Sequence, residues 1–144
     1  MNVSFTHRRF DDLALRELYD VLHLRDLVFV VGQRITAECE VDGHDPEYVH
    51  VLGRDDSGRL VATARVHVDK RPMKVGRVAV HTDLQRSGVG TRLMQYVQDE
   101  VMHGAPGELS AQAHLVPWYS SLGWRADGGV YIEAEIPHVW MVRP

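Results

Sequence analysis

The sequence has one cysteine, no long hydrophobic run and no excess of positive charge, and each shortage excludes a class of protein. Cys39 alone forms no internal disulfide, so we expect a reducing cytoplasm rather than a secreted, disulfide-stabilised domain. The longest apolar run, residues 27–31, is far shorter than the roughly 18 residues of a membrane span, and the first residues lack a signal segment. The formal charge of -4 argues against a nucleic-acid partner. No spacing of His and Cys predicts a metal site.

What is present is the composition of one globular domain. The 144 residues, 44% of them hydrophobic, suffice for one core, and we expect a single domain over residues 1–144. Hydrophobic spacing predicts the order β-α-β-β-β-α-β-α-β-β, an α/β domain with a mixed sheet flanked by helices. The predicted strands are 3–7, 48–54, 59–68, 75–80, 108–113, 131–136 and 139–142. The first helix is expected after a cap at Asp11 or Asp12, and residues 34–46 are expected to form a loop.

The most informative segment is Gln85-Arg86-Ser87-Gly88-Val89-Gly90-Thr91, between a predicted strand and a predicted amphipathic helix. A Gly-x-Gly turn there leaves main-chain N–H groups open at the positive end of the helix dipole, which favours a pyrophosphate. The motif is neither a Walker loop nor a dinucleotide fingerprint, because the Lys-Ser/Thr and the third glycine are absent. Taken alone, it is also consistent with a glycine turn that only allows close packing.

A second motif, Trp118-Tyr119-Ser120-Ser121-Leu122-Gly123-Trp124, follows Ala111-Gln112-Ala113-His114 after the helix. Together with the Gln-x-x-Gly-x-Gly turn it resembles the GNAT acetyltransferase superfamily. Further segments are similar to the ElaA-like branch of that superfamily, and the resemblance runs from Leu15 to Met141. These segments include Leu24-Arg25, Val28-Phe29-Val30-Val31, Asp42-Gly43, Gly76-Arg77-Val78 and Ile136-Pro137-His138.

The resemblance implies an acetyltransferase that uses acetyl-coenzyme A. It implies a pyrophosphate on the glycine turn, a pantetheine arm along the preceding strand, and a main-chain amide, at Val78, that polarises the thioester carbonyl. Tyr119 would be the general acid for the departing thiolate; a buried Tyr bonded to the main chain is the alternative. The implied coenzyme-binding residues are Val78, Ala79, Val80, Gln85, Arg86, Ser87, Gly88, Val89, Gly90 and Thr91.

The general base is left open among His114, His138, Glu133, Glu40 and an ordered water, with His138 favoured because Ile136-Pro137-His138 matches the branch. Arg25 and Arg77 match branch positions that face the cleft, although structural ion pairs would explain them equally well.

The sequence departs from the branch on the acceptor side, at Gly32, at residues 34–38 and at Glu133-Ala134-Glu135. These segments are acidic, which predicts either a solvated loop or a carboxylate-lined mouth for a polycation such as an aminoglycoside or a polyamine. The acceptor-binding residues expected on these grounds are Arg25, Glu38, Glu40, Asp42, Arg77, Glu133 and Glu135, with Asp45 and Glu47 nearby.

Three functions therefore compete. The first is acetylation of a small primary amine by a monomer or homodimer, the second is acetylation of protein Lys residues or N-termini, and the third is a non-catalytic acyl-coenzyme A sensor.

Overall fold

The computed structural model describes residues 2–144 and has the predicted order of strands and helices. The strands are β1 (Ser4–Arg9), β2 (Val49–Arg54), β3 (Leu60–His67), β4 (Met73–Val80), β5 (Gly107–Gln112), β6 (Arg125–Glu133) and β7 (Ile136–Arg143). The helices are α1 (Leu15–Arg25), α2 (Val89–Tyr96) and α3 (Val116–Ser121). Wider π turns extend α1 over Asp26–Gly32 and α2 over Val97–Val101. None of the helices within residues 2–144 is both long and apolar enough to cross a membrane.

All seven strands form one sheet in the order β1-β2-β3-β4-β5-β7-β6. Neighbouring strands pair antiparallel except β4 and β5, which are parallel and pair only through Met73 with Gly107 and Lys74 with Glu108. Beyond Lys74 the two strands separate. The sheet therefore opens near its centre, and the rest of β4 presents an unpaired edge to the gap.

Helices cover the sheet through two hydrophobic clusters. On α1 and the π turn that extends it, Val21, Leu24 and Val28 recur at spacings of three and four residues and pack with Leu52, Leu60 and Ala79. The larger cluster holds the apolar face of α2 and its π-turn extension against the strands, including Val89, Leu93 and Val97, together with Tyr119 and Trp124. Full burial of each such aliphatic side chain stabilises the fold by roughly 1.5–3 kcal/mol. The apolar spacing of the sequence is thus the property that attaches the helices.

Three predicted boundaries are wrong. Asp11 and Asp12 lie in a short 3₁₀ turn, and α1 begins after Ala14, whose N–H donates to the Glu17 carboxylate over 2.9 Å. Strand β6 begins at Arg125 rather than residue 131, because its exposed first half has no hydrophobic alternation to reveal it. The hairpin turn lies at Ala134-Glu135, both with positive φ, which places His138 inside β7.

Candidate active site

A groove of about 560 Å³ runs beside the free edge of β4 and the start of α2. Its walls include Val80 at the end of β4, Gln85 in the turn before α2, and Trp118 and Tyr119 of α3. The Gln85 side chain donates to Val80 O over 3.2 Å and so fixes the turn to the strand. The glycine motif, the strand before it and the aromatic motif are therefore brought to one place.

The glycine turn leaves three main-chain donors open. Arg86 and Gly88 both have positive φ, 66° and 87°, and Gly88 is the N-cap of α2. The first N–H that bonds back to this turn is that of Arg92, which donates to Gly88 O over 3.2 Å. The N–H groups of residues 89–91 precede it and lack an intrahelical acceptor, as at any helix start. They point the positive end of α2 toward the groove, an arrangement suited to a phosphate.

The turn packs against α3 at Gly90. A Cβ at Gly90 would lie 3.4 Å from Trp118 Cζ2 and 3.6 Å from Val80 Cγ2, in a normal backbone conformation. The Trp118 indole N–H donates to Thr91 Oγ1 over 3.0 Å. The third helix is thereby held against the first turn of the second, which closes one side of the groove.

Strand β4 carries a bulge where it faces the gap. Thr63 pairs with Ala79 and Arg65 pairs with Gly76, so Ala64 of β3 opposes both Arg77 and Val78. Arg77 has φ 49°, a left-handed conformation that costs a non-glycine residue of order 1–3 kcal/mol. Bulges of this kind re-aim the strand that carries them. Val78 follows the bulged residue and lines the groove.

A second, smaller cavity of about 140 Å³ meets the groove behind Val78. One wall is polar, with Ser110, Glu133 and His138, and the opposite wall is formed by residues 38–40 and Arg77. Five residues line both the groove and the cavity: Phe29, Val78, Gln112, Leu115 and Tyr119. The two spaces therefore adjoin at Val78 and Tyr119.

Tyr119 occupies this junction and is 5% exposed. Burial raises the pKa of its hydroxyl above the ordinary value of 10.0, and no hydrogen bond within residues 2–144 opposes that shift. The phenol consequently stays protonated at neutral pH. The alternative, a hydroxyl that is satisfied by the main chain, finds no support in these contacts.

His138 lies in the cavity wall with its tautomer fixed. Its Nδ1 is 2.7 Å from Ile136 O, and because a carbonyl only accepts, the proton of the neutral ring is on Nδ1. Nε2 then carries a lone pair and lies 3.5 Å from Glu133 Oε2. The Tyr131 ring stacks on the imidazole, and the Ser110 hydroxyl contacts both the Tyr131 hydroxyl and Glu133. Of the four candidate bases, His138 is buried, faces the cavity and has a free acceptor atom.

The acidic loop differs from the expectation of an open carboxylate mouth. Arg25 is 1% exposed and bonds to Glu40 over 2.6 Å and to Asp45 over 2.8 Å. Arg65 holds Asp42 with two hydrogen bonds of 2.6 and 3.0 Å. We call these residues the guanidinium cluster; its members are Arg25, Arg65, Arg77, Glu40, Asp42 and Asp45. Three guanidinium charges face three carboxylates, so the cluster offers a cation no net negative charge.

Arginine contacts lower the pKa of both aspartates. Hydrogen bonding and charge from Arg65 hold the pKa of Asp42 well below its ordinary 3.8. Burial alone raises the pKa of Asp45, but hydrogen bonds and charges of Arg25 and Arg65 outweigh it, and the pKa is lowered. Both carboxylates are ionised inside the fold, where they act as structural partners.

The remaining predicted acceptor residues are divided. Glu38, Glu40, Arg77 and Glu133 line the cavity, whereas Arg25, Asp42 and Glu135 do not. Glu47 pairs with His44 on the surface, and His114 lines the groove instead of the cavity. Arg25 and Asp42 are turned inward because each finds an oppositely charged partner there.

Sequence reasoning assigned no role to several lining residues. Gln33 and Gln112 exchange hydrogen bonds of 3.3 and 3.0 Å across the groove. Cys39 and Ser110 line the cavity, and Arg65 forms the centre of the guanidinium cluster. Arg65 lies in a segment with the alternation of a strand, and that pattern does not show that a charged residue within it is buried.

Within residues 2–144 no group of three or more His, Cys, Asp or Glu side chains is arranged to hold a metal.

Comparison with known proteins agrees with this geometry. The model of the acetyltransferase (GNAT) domain matches residues 30–143. The chain belongs to the GNAT acetyltransferase family. It is 37% identical to protein ElaA of Escherichia coli, over 92% of this chain and 90% of that protein. A UPF0039 protein of Schizosaccharomyces pombe is 36% identical over 97% and 96% of the two chains.

Solved structures show the same relationship. The crystal structure of Escherichia coli ElaA has a TM-score of 0.89 at 34% identity, covering 99% of this chain and 100% of that one. An acyl-CoA N-acyltransferase from Pseudomonas aeruginosa has a TM-score of 0.88, with the same identity and coverage. The chain is therefore an N-acetyltransferase, and its coenzyme is acetyl-coenzyme A.

The residues that line the groove also fit this coenzyme by their own chemistry. Its phosphate end has the open amides of residues 89–91, and Gly88 has no atom within 4 Å of the space a Cβ would occupy. Its other end has the unpaired edge of β4, which is suited to an extended, amide-containing arm. Acetyl-coenzyme A supplies an acetyl group activated as a thioester.

Proposed function

We propose that this acetyltransferase acetylates the primary amine of a slim, multiply charged acceptor, a linear polyamine being the best fit. The observation that carries the proposal is the junction at Tyr119, where the groove adjoins a cavity of about 140 Å³. A cavity of about 150 Å³ holds one benzene molecule. An alkylamine arm enters such a space along its length, whereas the rings of an aminoglycoside stay outside it.

The reaction needs two proton transfers, and a different residue at the junction carries out each one. A primary amine attacks only as the neutral base, so one proton must leave the nitrogen. His138 Nε2 accepts it, and Glu133, 3.5 Å away, stabilises the imidazolium. On the other side Tyr119 holds the proton that a departing thiolate requires. The main-chain amide of Val78 polarises the thioester carbonyl.

Charge selection rests on the carboxylates that the guanidinium cluster leaves free. Glu38 is exposed, lines the cavity and stands outside the ion pairs of the cluster. Glu133 lines the cavity as well. Two carboxylates at the mouth favour an acceptor with a second ammonium beyond the one that reacts.

The alternative acceptor is a Lys side chain of a protein, which is equally slim. The neighbour described as aminoglycoside 6'-N-acetyltransferase in complex with coenzyme A is 18% identical with a TM-score of 0.68, a likeness of fold alone. This likeness does not favour an aminoglycoside as the acceptor of this protein.

The experiment is release of free thiol from acetyl-coenzyme A against spermidine, butylamine, a Lys-containing peptide and an aminoglycoside. We expect kcat/KM to be highest for spermidine. Raising salt should increase the KM for spermidine more than that for butylamine, because exposed charges are screened beyond roughly 8 Å at physiological salt.

Glu38→Gln should raise the KM for spermidine, with Glu47→Gln as the matched control outside the cavity. A peptide preferred over every small amine would replace the proposal, and no turnover with any acceptor would favour a coenzyme sensor.

A further inference from the structure

Outside the reacting groups, two arginines bind Glu40 through several contacts that the reaction does not explain. Arg25 Nε contacts Glu40 Oε2 at 2.6 Å, and Arg77 Nε lies 2.9 Å from Oε1. The main-chain carbonyl of Glu40 also accepts from Arg25 Nη2 at 3.0 Å and from Arg77 Nη2 at 3.2 Å. One residue of the loop is thus held at its side chain and its main chain by two arginines.

The two arginines differ in what they are attached to. Arg25 is the last residue of α1 and is buried, so it is a fixed anchor. Arg77 is the bulged residue of β4 with φ 49°, a conformation that arginine adopts rarely. The next residue is Val78, which lines both the groove and the cavity.

We propose that Arg77 and Glu40 are positioning residues: through their ion pair, Arg25 and α1 hold the bulge of β4 and so aim the Val78 amide. A strained backbone conformation persists only where its surroundings determine it. The surroundings of Arg77 are Glu40 and Asp42, the latter 3.5 Å from Nη2. The inference rests on the proposed role of the Val78 amide at the thioester carbonyl.

This role differs from acceptor binding. Arg77 Nε is paired by distance with Glu40 although its N–H is not aligned for a hydrogen bond, and Nη2 is shared between Glu40 O and Asp42. The guanidinium is therefore occupied within the protein. Its effect on the reaction passes through the backbone to the neighbouring amide.

The test compares Arg77→Ala with Arg77→Gly. Both remove the guanidinium, but glycine adopts positive φ without strain and alanine does not. Acetyl-coenzyme A labelled with ¹³C at the carbonyl reports the hydrogen bond as a downfield shift of the bound carbonyl resonance. Calorimetry with coenzyme A reports binding, and thermal unfolding reports folding.

We expect the downfield shift to be lost in Arg77→Ala, largely retained in Arg77→Gly and reduced in Glu40→Gln, with coenzyme A affinity unchanged in all three. Glu47→Gln, an exposed acid of the same segment, should match the parent. If Arg77→Ala does not fold, Glu40→Gln against Glu47→Gln carries the comparison.

Three outcomes would overturn the inference. A parent-like shift in folded Arg77→Ala and Glu40→Gln removes the positioning role. Equal loss in the glycine and alanine variants means that the guanidinium itself, not the bulge, acts on the site. A parent protein without any carbonyl shift removes the role assigned to Val78, whereas acetyl transfer itself is judged separately by thiol release.

Discussion

His138 Nε2 lies 3.5 Å from Glu133 Oε2, while the opposite ring nitrogen donates to the main chain at Ile136. The imidazole is thus fixed in one tautomer and has a carboxylate beside its acceptor atom. This geometry suits the role of general base that we propose for His138. Glu133 ends β6 and His138 lies in β7, so the hairpin between the two strands is what brings them together. Neither residue alone would identify the site.

The first prediction concerns this pair. His138→Gln should slow acetyl transfer by roughly 10²–10⁴-fold, the usual contribution of a general base. Glu133→Gln should slow it less, because it removes the stabilising charge and leaves the base. Coenzyme affinity by calorimetry should stay at the parent value in both. Transfer at the parent rate in His138→Gln would assign the base to an ordered water or to another residue.

The second prediction concerns the acid. Tyr119→Phe should keep coenzyme affinity and slow transfer by roughly 10²-fold. Because burial raises the pKa of Tyr119, loss of its proton should produce no decline in the parent rate as pH rises toward 10. Stopped-flow thiol release separates the chemical step from product release. A rate within twofold of the parent would remove Tyr119 from the reaction.

The third prediction separates backbone strain from coenzyme contact. Gly88 and Gly58 have φ of 87° and 85°, and neither has an atom within 4 Å of the position that a Cβ would take. Gly88→Val and Gly58→Val should therefore lower the free energy of unfolding by similar amounts, roughly 1–3 kcal/mol. Only Gly88→Val should abolish coenzyme A binding, because Gly58 lies in the β2–β3 turn away from the groove. Equal coenzyme affinity in the two folded variants would contradict the proposed phosphate site.

The fourth prediction concerns acid stability. The pKa of Asp42 and that of Asp45 are lowered by folding, so the unfolded chain binds more protons than the folded one near their ordinary value of 3.8. Their contribution is present above that value and is lost as pH falls below it. We expect Tm to drop steeply in this range. Arg65→Met should lower stability at pH 7 by roughly 3–5 kcal/mol and flatten the acid dependence. An unchanged slope would show that other carboxylates control acid unfolding.

The coenzyme side of this protein was accessible from the sequence by itself. Residues 85–91 lie between a strand and a helix, and the groups proposed to bind the coenzyme are main-chain amides made available by the local conformation at Gly88. Such a site depends on residues adjacent in the chain, so a contiguous motif describes it. The order of strands and helices follows from hydrophobic spacing for the same reason, since the period of each element is local.

The acceptor side was decided only by tertiary structure. An acidic run in the sequence suggested free carboxylates, but Asp42 and Asp45 meet Arg65 from a distant strand, and Glu40 meets Arg25 and Arg77. A carboxylate's effective charge depends on which cation lies within a few ångströms, and chain folding determines that. The same holds for His138, whose place in the cavity wall follows from a hairpin turn at residues 134–135 that the apolar pattern placed elsewhere. Local chemistry was therefore encoded in short segments, whereas charge pairing required the folded chain.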